Sequence, residues 1–301
     1  MLRLSSGEIM LKPKLLIILL LYVVTKSSVI GFIGLMQKGR IVLDFIDVGQ
    51  GDSIFITTPF GRNILIDGGP NYDLDIFLDD RLPFWNCYID YVVLTHPDVD
   101  HLTGVNRILK RCKAGLVVFP EIPVELVDSR LYKEFINYIN AAERSGKISN
   151  KSFDKVIDGV NFHFLFPSEF IELNPRNIND HSVFLCLDYG DFEALFTGDA
   201  GAKALRSMVL VIKNKCSIGE SLEVLKIPHH GSKYNYNPYF AEALRPLIAV
   251  ILVGKNKFGH PNPDVIEKYN KNKAKVFRTD ELGNISIEVN KDKSFNLKLG
   301  L

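Results

Sequence analysis

The chain has 301 residues, 47% of them hydrophobic and 24% charged, a globular composition with length for one large or two ordinary domains. A net charge of +1 excludes an overall attraction to nucleic acid, so any such binding needs a local patch. Cys87, Cys112, Cys186 and Cys216 form no Cys-x-x-Cys pair and have no His at zinc-finger spacing, so they are expected as buried free thiols.

Residues 1–40 differ in kind from the rest. Lys12 and Lys14 precede a ten-residue apolar run over 15–24, and a second apolar piece covers 29–36. A basic flank with a short apolar core reads as a secretory signal or a weak membrane anchor. With no small-x-small cleavage site the anchor is preferred, with membrane contact through 12–36 and an extracytoplasmic location, although Lys26 interrupts the segment. A buried core helix is the alternative reading.

From residue 41 to 301 short apolar runs alternate with glycine turns and helical patterns. Strands are expected at 41–47, 53–58, 63–67, 91–95, 115–119, 160–166, 182–189, 194–197, 224–227 and 248–253. Helices are expected from near Gly104, around Leu131 to Ile139, and over 238–244. The mixture predicts one α/β domain of two sheets covered by helices.

The chemistry gathers at strand ends. Thr95-His96-Pro97-Asp98-Val99-Asp100-His101 puts two imidazoles and two carboxylates within six residues, more than a helix cap needs. One cation would struggle to use all four, so the spacing points to a binuclear metal site on a loop. Asp67, in Ile66-Asp67-Gly68-Gly69, either orients a metal-bound imidazole or makes a plain turn. Asp199, in Thr197-Gly198-Asp199, either bridges two cations or caps a following helix.

His229-His230-Gly231-Ser232 is read as one ligand and one proton donor or phosphate contact, since neighbours on an extended chain point oppositely. His260, in Gly259-His260-Pro261, faces substrate or sits in a surface loop, and His163 is structural in an alternating strand. His181 or Asn179 completes the first metal site.

In this order the motifs resemble the metallo-β-lactamase fold superfamily, and more closely the nuclease-like domain of ComEC-type competence proteins. The resemblance rests on Asp47-Val48-Gly49-Gln50-Gly51-Asp52, Leu65-Ile66-Asp67-Gly68-Gly69, the His96–His101 motif, Thr197-Gly198-Asp199, His229-His230-Gly231-Ser232 and Gly259-His260-Pro261, over about residues 41–290. It implies an αββα sandwich of two mixed β-sheets covered by helices. It implies two divalent cations, one held by His96, Asp98 and Asp199, the other by Asp100, His101, Asp199 and one of the doublet, with His229 taken as ligand and His230 as proton carrier.

The resemblance further implies that Asp100 aims the attacking water, with His260 a second proton carrier. Asp47, Asp67 and His181 are expected behind the ligands, and Asn179, Ser232, Lys255 and Lys257 beside the substrate, with a solvated loop the alternative for the two lysines. Asp98 stands where the superfamily has a histidine, which moves the first site from zinc towards manganese or magnesium.

The expected function is metal-dependent hydrolysis of a phosphodiester, with nucleic acid as the partner molecule. Alternatives are a non-catalytic or single-metal binding module, or hydrolysis of a lactone, thioester or β-lactam on the same fold. In the ComEC group the domain is joined to a channel, so DNA import by this chain alone is not expected.

Overall fold

The structure is a computed structural model that describes residues 22, 24–25, 39–83, 87–127, 129–141, 146–290, 292 and 294–300. Three strands, β1 (Ile41–Phe45), β2 (Ile54–Thr57) and β3 (Asn63–Ile66), pair antiparallel; β4 (Tyr88–Val93), β5 (Lys113–Phe119) and β6 (Gly146–Ser149) extend the sheet in parallel. A second sheet follows from β7 (Phe153–Ile157), β8 (Val160–Leu165), β9 (Phe184–Asp188), β10 (Glu193–Phe196), β11 (Val224–Lys226), β12 (Ile248–Ile251) and β13 (Lys275–Arg278). It repeats the plan, antiparallel from β7 to β10 and parallel from β10 to β13. The hairpin β14 (Ile285–Val289) and β15 (Phe295–Leu299) returns to pair with β1.

Parallel neighbours need crossovers, and the crossovers carry the helices. Those on the first sheet are α1 (Asp73–Arg81), α2 (Val99–Arg111) and α3 (Arg130–Ala141). Those on the second are α4 (Ala202–Lys215), α5 (Pro238–Leu244) and α6 (Pro263–Lys271), and a short α7 (Thr279–Leu282) leads into β14.

Three apolar layers follow from this order. Ile41, Leu43 and Phe45 of β1 meet Phe162, Phe164, Leu185 and Phe196 between the sheets. Leu102, Val105 and Leu109 of α2 pack with Leu65, Val92 and Val117 outside the first sheet, and Leu205, Met208 and Ile212 of α4 with Leu195 and Leu225 outside the second. Burying each such side chain contributes about 1.5–3 kcal/mol. The result is the expected αββα sandwich of two mixed sheets.

Two expectations change, and a third lies outside the described residues. The helix after the His/Asp motif begins at Val99 and not near Gly104, because Asp98, extended after Pro97, takes the N-cap position and its carbonyl accepts the His101 and Leu102 amides. Asp100 and His101 therefore ride on the first helical turn, which holds them more rigidly than a loop would. The cysteines are not free thiols: Cys87 pairs with Cys112 and Cys186 with Cys216, their Cα atoms 4.7 and 5.9 Å apart, within disulfide reach. The membrane segment expected at 12–36 lies, apart from Tyr22, Val24 and Thr25, outside the described residues; among the described residues no helix is long and apolar enough to cross a membrane.

Candidate metal centre

At one edge of the sandwich the ends of β4, β10, β11 and β12 converge. Gly68 and Gly104 make the convergence possible, since a Cβ on Gly104 would lie 1.8 Å from the Gly68 carbonyl oxygen. Only two glycines allow the turn after β3 to press against α2.

That contact brings Asp67 to the imidazoles. Its carboxylate accepts the Thr95 amide at 2.7 Å, the Thr95 hydroxyl at 2.6 Å and the His101 Nδ1–H at 2.7 Å. Thr95 Oγ1, having donated to Asp67, accepts from His96 Nδ1 at 3.0 Å. His230 Nδ1 donates to the Leu252 carbonyl at 2.8 Å. In all three rings the protein occupies Nδ1, and in all three Nε2 is buried with no hydrogen-bond partner. An imidazole fixed at one nitrogen with a bare, buried second nitrogen is oriented for a cation.

The carboxylates complete the set. Asp199 Oδ2 lies 3.4 Å from His101 Nε2, 3.3 Å from His230 Nε2 and 3.8 Å from His229 Nε2. Asp100 Oδ2 is 3.3 Å from His230 Nε2, and Asp98 Oδ2 is 3.4 Å from His96 Nε2. Ligand atoms of Asp52, His101, Asp199 and His230 all fall within 4.8 Å of one another. Thus Asp199 meets His101, His229 and His230, while His96 pairs with Asp98 and its ring lies 4.1 Å from that of His101.

The field of these carboxylates is strong. Burial alone would lower His101 and His230, yet Asp199 and the neighbouring carboxylates push both well above the usual imidazole range. Burial would likewise raise Asp199, but His230, Lys226 and His101 hold it well below the carboxylate range. A pocket that attracts protons in this way attracts a divalent cation by the same charges, so the residues present fit a metal.

Sequence reasoning missed two members. Lys226 is fully buried in β11; its Nζ donates to the Gly198 carbonyl at 2.9 Å, to Asp199 Oδ1 at 3.2 Å, and makes a short ion pair with Asp52. Burial disfavours its charge, but Asp52 and Asp199 more than offset this and raise its pKa. Asp52 approaches His230 from behind, Oδ1 3.4 Å from Nδ1, and with Lys226 it backs the ligands. A lysine inside the apolar Val224-Leu225-Lys226-Ile227 run, and a carboxylate at the entry of β2, were the available signals.

Several assignments move. His230, 1% exposed, is in the cluster, while His229 is at the rim, its side chain 27% exposed and its Nδ1 3.3 Å from the Asn179 amide. The place in the cluster expected of His229 is held by His230. The chain there is not extended, since both residues have left-handed φ, 48° and 50°. Asn179 reaches the site edge, but His181 turns away to the Asn174 carbonyl at 3.3 Å.

Asp47 is also elsewhere: it accepts the Gly49 amide and lines a cavity of about 440 Å³ with Asp73, Asp80 and Arg81, because the Gly49–Gly51 turn carries Asp52 inward in its place. Ser232 is buried and its hydroxyl accepts the Tyr234 amide, so it holds the loop and does not face the cleft. Asp199 does not cap α4, because Gly201 stands at that cap and its amide is taken by Asp180 Oδ1 at 3.1 Å. His260 borders the cleft, its ring 5.4 Å from that of His229, and Lys255 and Lys257 are exposed on the same loop.

The sequence profile described as the metallo-beta-lactamase superfamily matches residues 46–255, a span that contains every residue of this cluster. The chain belongs to the metallo-β-lactamase superfamily. It is 29% identical over 273 residues to ComE operon protein 3 of Bacillus subtilis, covering 83% of this chain and 33% of that protein. It is 27% identical over 268 residues to Recombination protein 2 of Haemophilus influenzae, covering 86% and 30%. The chain thus spans about a third of the length of these ComEC-type relatives. Among solved structures of the superfamily fold, Igni18, a metallo hydrolase of Ignicoccus hospitalis, superposes with a TM-score of 0.51 at 16% identity, covering 82% of this chain and 98% of that one. CmlA, a diiron β-hydroxylase of Streptomyces venezuelae, superposes with 0.52 at 14% identity, covering 82% and 53%.

Proposed function

We propose that the chain is a phosphodiesterase that cuts DNA using two divalent cations, manganese in preference to zinc. The observation that carries this reading is the donor set: three buried imidazole Nε2 atoms without partners face Asp98, Asp100 and Asp199. The mixed oxygen and nitrogen donors favour manganese. When bound, the cations supply an acidified water and take up charge on the phosphate oxygens.

The protein's own groups do the remaining work. Asp100, with a side chain 32% exposed, reaches the open side of the cluster, and His230 offsets the cost of burial to keep it ionised. It accepts a hydrogen bond from the attacking water and aims it. Burial, reinforced in His260 by the neighbouring imidazoles, lowers the pKa of both His229 and His260. Near neutral pH each is an uncharged ring that offers an N–H to a phosphate or leaving oxygen. Lys255 and Lys257 hold neighbouring phosphates.

The ComEC-type relatives support DNA over a lactone or β-lactam, and the name of the Haemophilus protein refers to recombination. Two disulfides support an extracytoplasmic location, with residues 12–36 as its anchor. A manganese-loaded panel of bis-p-nitrophenyl phosphate, an oligonucleotide, nitrocefin and a lactone tests the reading. The two phosphodiesters are turned over, and Asp100→Ala and Asp199→Ala each lower that rate by more than about a hundredfold. Unchanged turnover in the variants, or hydrolysis of nitrocefin or the lactone alone, contradicts it.

A further inference from the structure

The most exposed large hydrophobic side chains among the described residues are Tyr234, 79% exposed, and Phe258, 74% exposed. Both belong to loops that carry histidines of the candidate centre. Phe258 stands two residues before His260, and its ring centroid is 5.9 Å from that imidazole; His260 is in turn 5.4 Å from His229. Tyr234 follows the His229–Ser232 turn, and the two loops are joined where the Asn262 amide donates to the Gly231 carbonyl at 3.0 Å. A line of rings therefore runs from solvent to the edge of the cluster.

The exposure is built in. The Asn256 side chain accepts the Phe258 and His260 amides and donates to the Gly254 and His260 carbonyls, which braces the loop from inside. Its base is fixed as well, since a Cβ on Gly254 would lie 2.4 Å from the Gly49 carbonyl carbon. A braced loop that holds an aromatic ring in water presents that ring to something.

Charge indicates what. Lys255 and Lys257 precede Phe258 on one loop, Lys233 Nζ lies 5.1 Å over the Tyr234 ring on the other, and neither 232–236 nor 254–260 contains an acidic residue. Two separate rings among lysines make no continuous apolar face for a protein partner or a bilayer. Cations for phosphates and flat rings for bases are the two elements of single-strand recognition, and in a duplex the base faces are already stacked.

We propose that Tyr234 and Phe258 form a base-stacking rim that grips single-stranded DNA beside the metal centre and selects it over duplex; this rests on the phosphodiesterase reading above. Fluorescence anisotropy of the full chain tests it with four labelled probes of equal length: oligothymidylate, an abasic strand, a duplex and oligouridylate. Oligothymidylate binds tightest. Tyr234→Ala and Phe258→Ala each weaken it roughly 5- to 100-fold, the loss expected for one stacked base. The double variant binds oligothymidylate no better than the abasic strand, and Phe258→Trp retains the preference.

Equal binding of abasic and base-bearing strands by the parent protein overturns the proposal, as does a preference that survives in the double variant. Tighter binding of duplex or oligouridylate overturns it too. The binding measurement needs no turnover, so the two readings fail separately. Hydrolysis of bis-p-nitrophenyl phosphate without a base preference sinks the rim alone, and a base preference with no hydrolysis sinks the phosphodiesterase.

Discussion

The two oxygens of Asp199 face different neighbours, and much of the site follows from that. Oδ1 is taken by Lys226, which leaves Oδ2 as the atom that meets the imidazoles. Lys226→Met would leave Asp52 buried without its counter-charge, a loss of about 3–5 kcal/mol. The double variant Lys226→Met/Asp52→Asn recovers part of it, as denaturant unfolding of the three proteins would record. Because Asp199 is then free to swing, both variants also bind manganese more weakly than the parent in a calorimetric titration.

This pair was hidden from sequence reading because the partners are far apart in the chain and belong to different sheets, so nothing local to either residue points to the other. The His96–His101 stretch was legible because its ligands are adjacent in the chain. The order within the His229-His230 doublet was not, since it depends on two left-handed residues whose strain, on the order of 1–3 kcal/mol each, is offset only by the folded surroundings.

Among the elements, β1 to β5 and β8 to β12 were visible as short apolar runs, and α3 and α5 by their spacing and flanks, while β7 and β13 at the ends of the second sheet were not. α1 was not, because its inward face is only Leu74 and Leu78 among acidic residues. The entry of β10 carries a group with no place in the chemistry. Burial, together with a hydrogen bond shared with Glu223, pushes the Glu193 carboxyl up to about 8 from the usual 4.5.

The folded state therefore binds this proton more tightly than the unfolded chain does. The stabilisation is complete below about pH 4.5 and is lost as pH rises towards 8. Glu193→Gln keeps the neutral form, so in thermal melts across that window the variant shows a shallower decline and exceeds the parent in melting temperature at and above pH 8.

At the scale of the molecule, the two sheets meet at one edge where strand ends from both sheets deliver the imidazoles and carboxylates of the cluster. The superfamily was readable because six motifs keep their order along the chain. Their roles at the cleft depend on which way a ring or carboxylate turns, which local sequence does not encode: Asp47 and His181 face away while Asp52 faces inward.

Whether these groups hold divalent cations is read from metal content after manganese loading and exhaustive dialysis. Plasma mass spectrometry is expected to find two ions per chain in the parent protein, with His230→Ala and Asp199→Ala each losing at least one while His181→Ala keeps both. Less than one ion in the parent, or a full complement in His230→Ala, would contradict the account.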